Sequence, residues 1–245
     1  MNEGVAVKEN AIAILEKQLR ARATKNEYGI IAVGSATDAY LPHEAKYKLT
    51  ESFLKLFVQY RFPVFISTKS TLIIRDIELL KQIDTNALLP DDLQNSLGRG
   101  VILSVSISTM DERICNMLEP GAATPTERLQ IVQHLKQAGF LVGVNAIPIL
   151  PFISDTEEEL KKIIAAARQY GADYILTGGL TLFGNGIADS KTLYYKFLER
   201  YNAALIPKYD QLYKGLFYPP KQYQDILKVR STKICQQYNL RTSIL

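Results

Sequence analysis

Charged and hydroxyl side chains follow the apolar runs of this sequence, and they are the groups best suited to chemistry. Asp38 comes just after the run YGIIAVGS, and Lys69 lies near the end of PVFISTKS. A carboxylate could bind an ammonium group, an amine could bind a carboxylate, and serine hydroxyls could bind a ribose or a carboxylate. The set could therefore hold a zwitterionic small molecule. The two opposite charges could equally form a structural ion pair, and the pattern leaves both interpretations open.

The other candidates lie at the ends of further apolar runs. The predicted binding residues are Ser35, Thr37, Asp38, Lys69, Ser104, Ser106, Asn145 and Gly178. They include no Ser–His–Asp arrangement and no closely spaced pair of carboxylates, which argues against triad hydrolases and glycosidases. The sequence has two histidines, and we expect His134 to be a solvated surface residue.

Five apolar runs of strand length alternate with segments of helical periodicity. The predicted strands cover 28–35, 63–70, 101–108, 140–150 and 173–182. Such alternation predicts βαβ units and a parallel sheet, in which active groups sit at the carboxyl ends of the strands. Five strands are too few for an eight-stranded barrel, and no G-x-G-x-x-G follows the first strand. We therefore predict an α/β fold with a partial, open barrel.

Helix signals separate these strands. Thr124-Pro125-Thr126-Glu127 predicts a capping box with proline at the first helical position, and Asp155-Thr156-Glu157-Glu158 predicts a second capping box. Glu44 is expected to begin a helix and satisfy its first turn. From about Lys191 the chain is mostly helical and rich in tyrosine. We predict a barrel over 1–190 and a helical extension over 191–245 packed on it as one structural unit.

Composition limits the function classes. The chain is 47% hydrophobic and 22% charged, with a net charge of +4. No apolar run reaches the ~20 residues of a membrane helix, and no signal peptide is visible, so we expect a cytoplasmic protein without membrane contact. The mild basicity permits nucleic acid as a partner without requiring it. We expect the tyrosine-rich tail to pack as a helical cover, and stacking on bases is the less favoured alternative.

The sequence has two cysteines, Cys115 and Cys235, and no C-x-x-C. This count excludes a zinc finger or a complete iron–sulfur motif within the sequence. We expect both cysteines to pack as small hydrophobic residues.

Three stretches resemble one family closely: GSATDAYLPHEAKYKLT, VFISTKSTLIIRDIELL, and the long segment containing LEPGAATPTERL and VNAIPILPFISD. They resemble the radical S-adenosylmethionine superfamily, in its spore photoproduct lyase-like branch, often labelled DNA repair photolyase. The likeness runs from about Val5 to Asp155 and continues more loosely to the C-terminus.

The resemblance implies a partial (β/α)6 barrel, TIM-like, with a [4Fe–4S] cluster that cleaves S-adenosylmethionine to a 5′-deoxyadenosyl radical. It also implies an electron donor such as ferredoxin or flavodoxin. The family holds its cluster with a C-x-x-x-C-x-x-C loop, which this sequence lacks. We expect the first strand and the cluster ligands upstream of Met1, through truncation or a split gene, unless the chain is a pseudoenzyme.

Residue by residue, the resemblance implies that Thr37 and Asp38 lie near the amino group of S-adenosylmethionine and that Lys69 pairs with its carboxylate. Ser106 or Ser104 would lie near the carboxylate and ribose. The strand containing Asn145 and Ile147 would approach the ribose and adenine, and Gly178 and Gly179 the adenine. Ser35 stands at or near the position of a hydrogen-donating cysteine in genuine spore photoproduct lyases, which argues against repair of the spore thymine dimer.

Three hypotheses follow. The first is a radical S-adenosylmethionine enzyme whose cluster segment lies outside this sequence, with an unknown substrate. The second is an inactive barrel that binds an adenosyl ligand or nucleic acid. The third is a metal-free α/β enzyme such as an aldolase with Lys69 as the Schiff-base lysine; it ranks last because no second lysine or desolvating cage accompanies Lys69.

Overall fold

A computed structural model describes residues 7–35 and 37–245. Five strands form one open sheet of parallel strands in the order β1-β2-β3-β4-β5. The strands are β1 (Ile31–Val33), β2 (Val64–Thr68), β3 (Val101–Ser106), β4 (Leu141–Ile149) and β5 (Tyr174–Gly179). The predicted α/β fold with parallel strands is confirmed.

Helices alternate with the strands and continue after the last one. They are α1 (Ala11–Thr24), α2 (Glu44–Tyr47), α3 (Leu49–Tyr60), α4 (Ile77–Asn86), α5 (Glu112–Leu118), α6 (Pro125–Gln137), α7 (Glu157–Gln169), α8 (Ser190–Asn202), α9 (Ile206–Tyr213) and α10 (Lys221–Gln237). Two 3₁₀ helices cover Thr71–Asp76 and Ala203–Leu205. Within the described residues, every helix is too short or too polar to cross a membrane.

The chain divides into two compact units. The first contains the chain up to Thr68, Leu72–Ile102 and Leu245; the second contains Lys69–Thr71 and Leu103–Ile244. The predicted helical extension over 191–245 lies wholly in the second unit. Its separation from the barrel at residue 190 stays a prediction.

In the first unit, α3 packs against α1 and α4 and buries Leu54 and Phe57. Strand β1 is shorter than the predicted 28–35. It ends where Gly34 adopts φ +88°, and a Cβ on Gly34 would lie 2.3 Å from the carbonyl oxygen of Ser67. Only glycine permits this conformation and this close approach, so the chain turns directly after β1.

In the second unit, β3 is buried along its length, and α10 packs against β5 and α7. The capping box predicted at the start of α6 is confirmed, with Thr124 and Glu127 bonded reciprocally. At α7 the cap is Thr156, whose side chain accepts from the amide of Glu159. Asp155, predicted to begin the capping box, does not cap the helix. It is buried and accepts a hydrogen bond from the Tyr223 hydroxyl at 2.8 Å.

Three tyrosines of the C-terminal helices are buried with their hydroxyls bonded. Tyr194 and Tyr209 share a hydrogen bond of 2.8 Å, Tyr209 also donates to the carbonyl of Pro151, and Tyr213 donates to that of Leu180. All three rings are less than a tenth exposed. This part of the tail therefore packs as the predicted cover and offers no surface for base stacking.

Candidate functional site

In the first unit, the loop after β1 carries three of the predicted site residues. Ser35 and Thr37 are exposed, and they flank residue 36, which lies outside the described residues. Asp38 is half-buried. Its Oδ1 accepts hydrogen bonds from the backbone amide of Tyr40 at 2.9 Å and from the hydroxyl of Thr68 at 2.7 Å. The carboxylate is thus oriented both from its own loop and from the end of β2.

The residues that follow Asp38 hold this loop in place. The Thr50 hydroxyl donates to the carbonyl of Ala39 at 2.5 Å. Tyr40 is 1% exposed, and burial, together with the negative charge of Asp76, raises the pKa of its hydroxyl above the usual range. Tyr40 therefore stays neutral and serves as a buried anchor.

Glu44 links the loop to the next helix. It begins α2, as predicted, but its carboxylate accepts from the amides of Thr50 and Glu51 at 3.0 and 3.3 Å, which caps α3 instead. Arg75 donates to Glu44 at 2.9 Å. Hydrogen bonds from Arg75 to Asp76, and then to Glu44, raise the pKa of the guanidinium. This buried network fixes the far end of the loop that carries Asp38.

In the second unit, Lys69 forms an ion pair with Glu119, with 3.2 Å between Nζ and Oε1. The Lys69 side chain is 40% exposed and that of Glu119 is 21% exposed. The sequence left open an ion pair between Lys69 and Asp38, which stays a prediction; the pair described here joins Lys69 to Glu119. Glu119 was not among the predicted site residues.

Arg128 holds Glu119 from the protein interior. Its guanidinium is 1% exposed and lies 2.6 Å from Glu119 Oε2. It also donates to the carbonyls of Ala123 and Ser106, at 2.7 and 3.0 Å. Ser106, a predicted site residue, ends β3 and is held by the Arg128 guanidinium. The same guanidinium holds Glu119, which is the counter-ion of Lys69.

The other predicted residues of the second unit lie in strands. Ser104 is 1% exposed within β3. The carbonyl of Asn145 accepts from the amide of Ile107 at 3.0 Å. Gly178 lies in β5, where a Cβ would stand 3.2 Å from Cγ1 of Ile147. Ile147 is 45% exposed, so an apolar surface lies open beside the backbone of Gly178.

A cavity of about 180 Å³ adjoins the Glu119–Arg128 pair within the second unit. Its lining combines hydroxyl, charged and apolar groups: Ser108, Thr109, Cys115, Leu118, Glu119, Arg128, Pro148, Leu150, Leu180 and Tyr194. Cys115 is 4% exposed, and its Sγ lies 3.5 Å from the Arg128 guanidinium. Burial raises the pKa of the Cys115 thiol despite this cation, so the thiol stays protonated near neutral pH.

The described residues do not fit an iron–sulfur cluster. Across 7–35 and 37–245, no three His, Cys, Asp or Glu side chains lie close enough together to hold a metal ion. Cys115 and Cys235 are both free and buried, as their predicted packing role requires. Because a [4Fe–4S] cluster takes several thiolate ligands, two separately buried thiols cannot bind one.

Three contacting residues were absent from the sequence prediction: Thr68, Glu119 and Arg128. The sequence does indicate that Arg128 is buried. Arg128 falls on the same helical face as Ile131, Val132 and Leu135, so its charge interrupts an apolar stripe. A charged residue in such a position is usually paired when buried. Thr68 is one of the hydroxyls at the end of the second predicted strand, but its bond to Asp38 had no signal in the sequence. The contact of Glu119 with Lys69 had none either, because both pairs are distant in sequence.

No family model matches the sequence. An uncharacterized protein of Mycobacterium tuberculosis is 27% identical over 236 residues, which cover 96% of this chain and 64% of that protein. An uncharacterized protein of Acidianus two-tailed virus is 29% identical over 151 residues, 60% of this chain and 44% of that protein. The chain thus spans less than two thirds of the length of these relatives.

Solved structures of spore photoproduct lyase and of Streptococcus suis SuiB share the fold. A mutant of spore photoproduct lyase with bound AdoMet and dinucleoside spore photoproduct has a TM-score of 0.62 at 13% identity, over 93% of this chain and 64% of that chain. Streptococcus suis SuiB bound to precursor peptide SuiA has a TM-score of 0.50 at 12% identity, over 86% of this chain and 42% of that chain. These similarities show a partial TIM-like α/β fold.

Proposed function

We propose that this chain is the S-adenosylmethionine-binding part of a radical S-adenosylmethionine enzyme of the spore photoproduct lyase-like type. The observation that carries the proposal is the fold similarity, over 93% of this chain, to a spore photoproduct lyase with bound AdoMet. The sequence resemblance to the same branch supports it independently. The substrate is not part of the proposal.

The donor groups suit S-adenosylmethionine in kind. The ligand carries an ammonium group, a carboxylate, ribose hydroxyls and an adenine ring. Asp38 supplies an oriented carboxylate for the ammonium, and Lys69 supplies an amine for the carboxylate. The eight predicted contacts divide into three residues of the first unit and five of the second. As a binding set they stay a prediction.

We propose that the adenine ring packs against the exposed side chain of Ile147 and the backbone of Gly178. A flat base could lie against Ile147, which is 45% exposed, and a methyl group on Gly178 would crowd that side chain. Ring burial against an apolar surface contributes binding free energy without a demand for particular hydrogen bonds.

The radical-forming step belongs to a [4Fe–4S] cluster, which the described residues do not fit, so we derive no step from them. We propose that an active enzyme takes its cluster ligands from a segment or partner outside this sequence, and its electron from a donor such as ferredoxin or flavodoxin. The role left to this chain is to bind and orient the cofactor.

A second candidate is an inactive module that binds an adenosyl ligand or nucleic acid. The observation that favours it is the burial of both cysteines, which leaves the described chain without cluster ligands. Spore photoproduct lyase binds a dinucleoside and SuiB binds a peptide. These neighbours support a small-molecule cofactor and keep nucleic acid among the candidate partners.

Two measurements test the proposal. Equilibrium dialysis with labelled S-adenosylmethionine should show saturable binding by the chain. Asp38→Asn and Lys69→Met should each weaken binding by about 1–3 kcal/mol, the value of one charged hydrogen bond. Lys162→Met is the matched control, because Lys162 pairs with Glu159 on the surface of α7. Unchanged affinity in both site variants would remove the proposed site.

Iron distinguishes the two candidates. Anaerobic reconstitution of the chain alone should give no stoichiometric iron–sulfur absorbance, and a stoichiometric signal would refute the assignment of the ligands to another segment. In the gene from which the chain derives, an in-frame C-x-x-x-C-x-x-C upstream supports the enzyme. Its absence, with S-adenosylmethionine binding retained, supports the module.

A further inference from the structure

We infer that Thr68 is a positioning residue for Asp38: its hydroxyl orients the carboxylate that receives the ammonium group of the ligand. The inference rests on the proposed function, and it gives a role to a residue outside the predicted binding set. Thr68 ends β2 and is 1% exposed, so its side chain belongs to the interior of the first unit.

The Thr68 hydroxyl directs its hydrogen bond to a side chain. A buried threonine hydroxyl commonly bonds to a backbone carbonyl, as Thr50 does to the carbonyl of Ala39. Thr68 instead donates to the side chain of a residue thirty positions earlier, at 2.7 Å. A hydroxyl that donates to a carboxylate is a charge-assisted contact, which is short and strongly directional.

Oδ1 of Asp38 accepts hydrogen bonds both from its own loop and from the strand. The Tyr40 amide and the Thr68 hydroxyl both reach Oδ1 of Asp38. The amide contact is an Asx turn within the loop, so it moves with the loop. The hydroxyl contact comes from the strand. The hydroxyl contact therefore ties the carboxylate to the end of β2, and its loss would remove that restraint on the side-chain torsions of Asp38.

Contacts on both sides of Asp38 hold its loop against β2. Gly34 allows its close approach to the Ser67 carbonyl, and Thr50 holds the Ala39 carbonyl. These contacts fix the backbone on both sides of Asp38, and the Thr68 hydroxyl restrains the carboxylate itself. A binding group held this way pays little ordering entropy when the ligand arrives.

The test compares two ligands. S-adenosylmethionine has the ammonium group, whereas 5′-methylthioadenosine keeps the adenosine and lacks the amino acid portion. Thr68→Val, which is nearly isosteric, should weaken S-adenosylmethionine binding about 3- to 10-fold and change 5′-methylthioadenosine binding less than 2-fold. Thr68→Ser should restore the affinity, because it keeps the hydroxyl. In an Asp38→Asn background, Thr68→Val should cause no further loss.

Ser231→Ala is the matched control, since Ser231 is also 1% exposed and its hydroxyl bonds to Thr177 within the second unit. It should leave both affinities unchanged. Thr68→Ala serves as a second variant if Thr68→Val does not fold, with the same expected loss. Thermal unfolding curves accompany every variant.

The outcomes separate the inference from the proposed function. If Thr68→Val weakens both ligands equally, or if it leaves S-adenosylmethionine binding unchanged while Asp38→Asn weakens it, the positioning role is wrong and the proposed function stands. If the serine variant fails to restore affinity, the hydroxyl is not the cause and the inference is overturned. If the wild-type chain binds neither ligand, the proposed function fails and this inference fails with it.

Discussion

Two carboxylates of this molecule, Asp38 in the first unit and Glu119 in the second, bond to different kinds of donor. Asp38 accepts hydrogen bonds from a backbone amide and a hydroxyl, which are neutral donors. Glu119 lies between two cations, the buried guanidinium of Arg128 and the ammonium of Lys69. Neutral donors orient a carboxylate without cancelling its charge, whereas two cations compensate it.

The difference suggests different tasks. Glu119 neutralises a cation that is 1% exposed, so its first role is structural: without it, a buried charge would lose its counter-ion. The amide of Tyr40 and the hydroxyl of Thr68 orient Asp38, which suits a group that must meet a ligand. Of the two carboxylates, Asp38 is therefore the better candidate for the ammonium of S-adenosylmethionine.

The largest expected loss of stability follows from a change in the second unit. Glu119→Ala should lower the free energy of unfolding by about 3 kcal/mol, because it leaves Arg128 buried and uncompensated. Lys69→Met is the comparison variant and should cost less than about 1 kcal/mol, since Lys69 is 40% exposed. Urea denaturation measures both. Equal losses in the two variants would contradict the view that Glu119 serves Arg128 first.

A smaller loss of stability is expected from a change in the first unit. Glu44→Ala removes the cap of α3 and one partner of Arg75, and should cost about 2 kcal/mol. Glu78→Ala is the control, because Glu78 pairs with Lys81 on the surface and its side chain is 79% exposed. If Glu44→Ala matches this control, the network does not hold the Asp38 loop.

Much of the fold could be predicted because its signals are local. Thr124 and Glu127 are three residues apart, and their capping box appears as predicted. The five strands lie within the predicted runs, since continuous apolar segments between helical patterns have few alternatives. The ends were less predictable: β1 stops at Val33 because Gly34 approaches the Ser67 carbonyl, a contact with another strand.

The partners of the site residues could not be predicted, because they come from distant parts of the chain. Thr68 reaches Asp38 across thirty positions, and Glu119 reaches Lys69 across fifty. Arg128 is the exception, since its place on an apolar helical face marked it as buried. Periodicity identifies which side chains face inward, but only the packed structure shows which polar groups meet.

The smallest effect concerns Cys115, beside Arg128. Burial raises the pKa of its thiol, so the reactive thiolate forms only at higher pH than in an ordinary cysteine. Alkylation by iodoacetamide at pH 8 should be more than tenfold slower in the folded chain than in urea, and should accelerate as the pH rises. Mass spectrometry of Cys115→Ser isolates the signal of Cys235, whose pKa burial raises to about 11. Rapid alkylation of the folded chain would show that the cations beside Cys115 outweigh its burial.

The central claim is that Asp38, rather than Glu119, receives the ammonium group of S-adenosylmethionine. A crystal structure of the chain with S-adenosylmethionine tests this claim most directly. We predict the amino nitrogen of the ligand within hydrogen-bond distance of the Asp38 carboxylate, with the Thr68 hydroxyl still donating to Oδ1 and Arg128 still paired with Glu119. An amino nitrogen bound to Glu119, or a ligand that does not contact Asp38, would contradict the account.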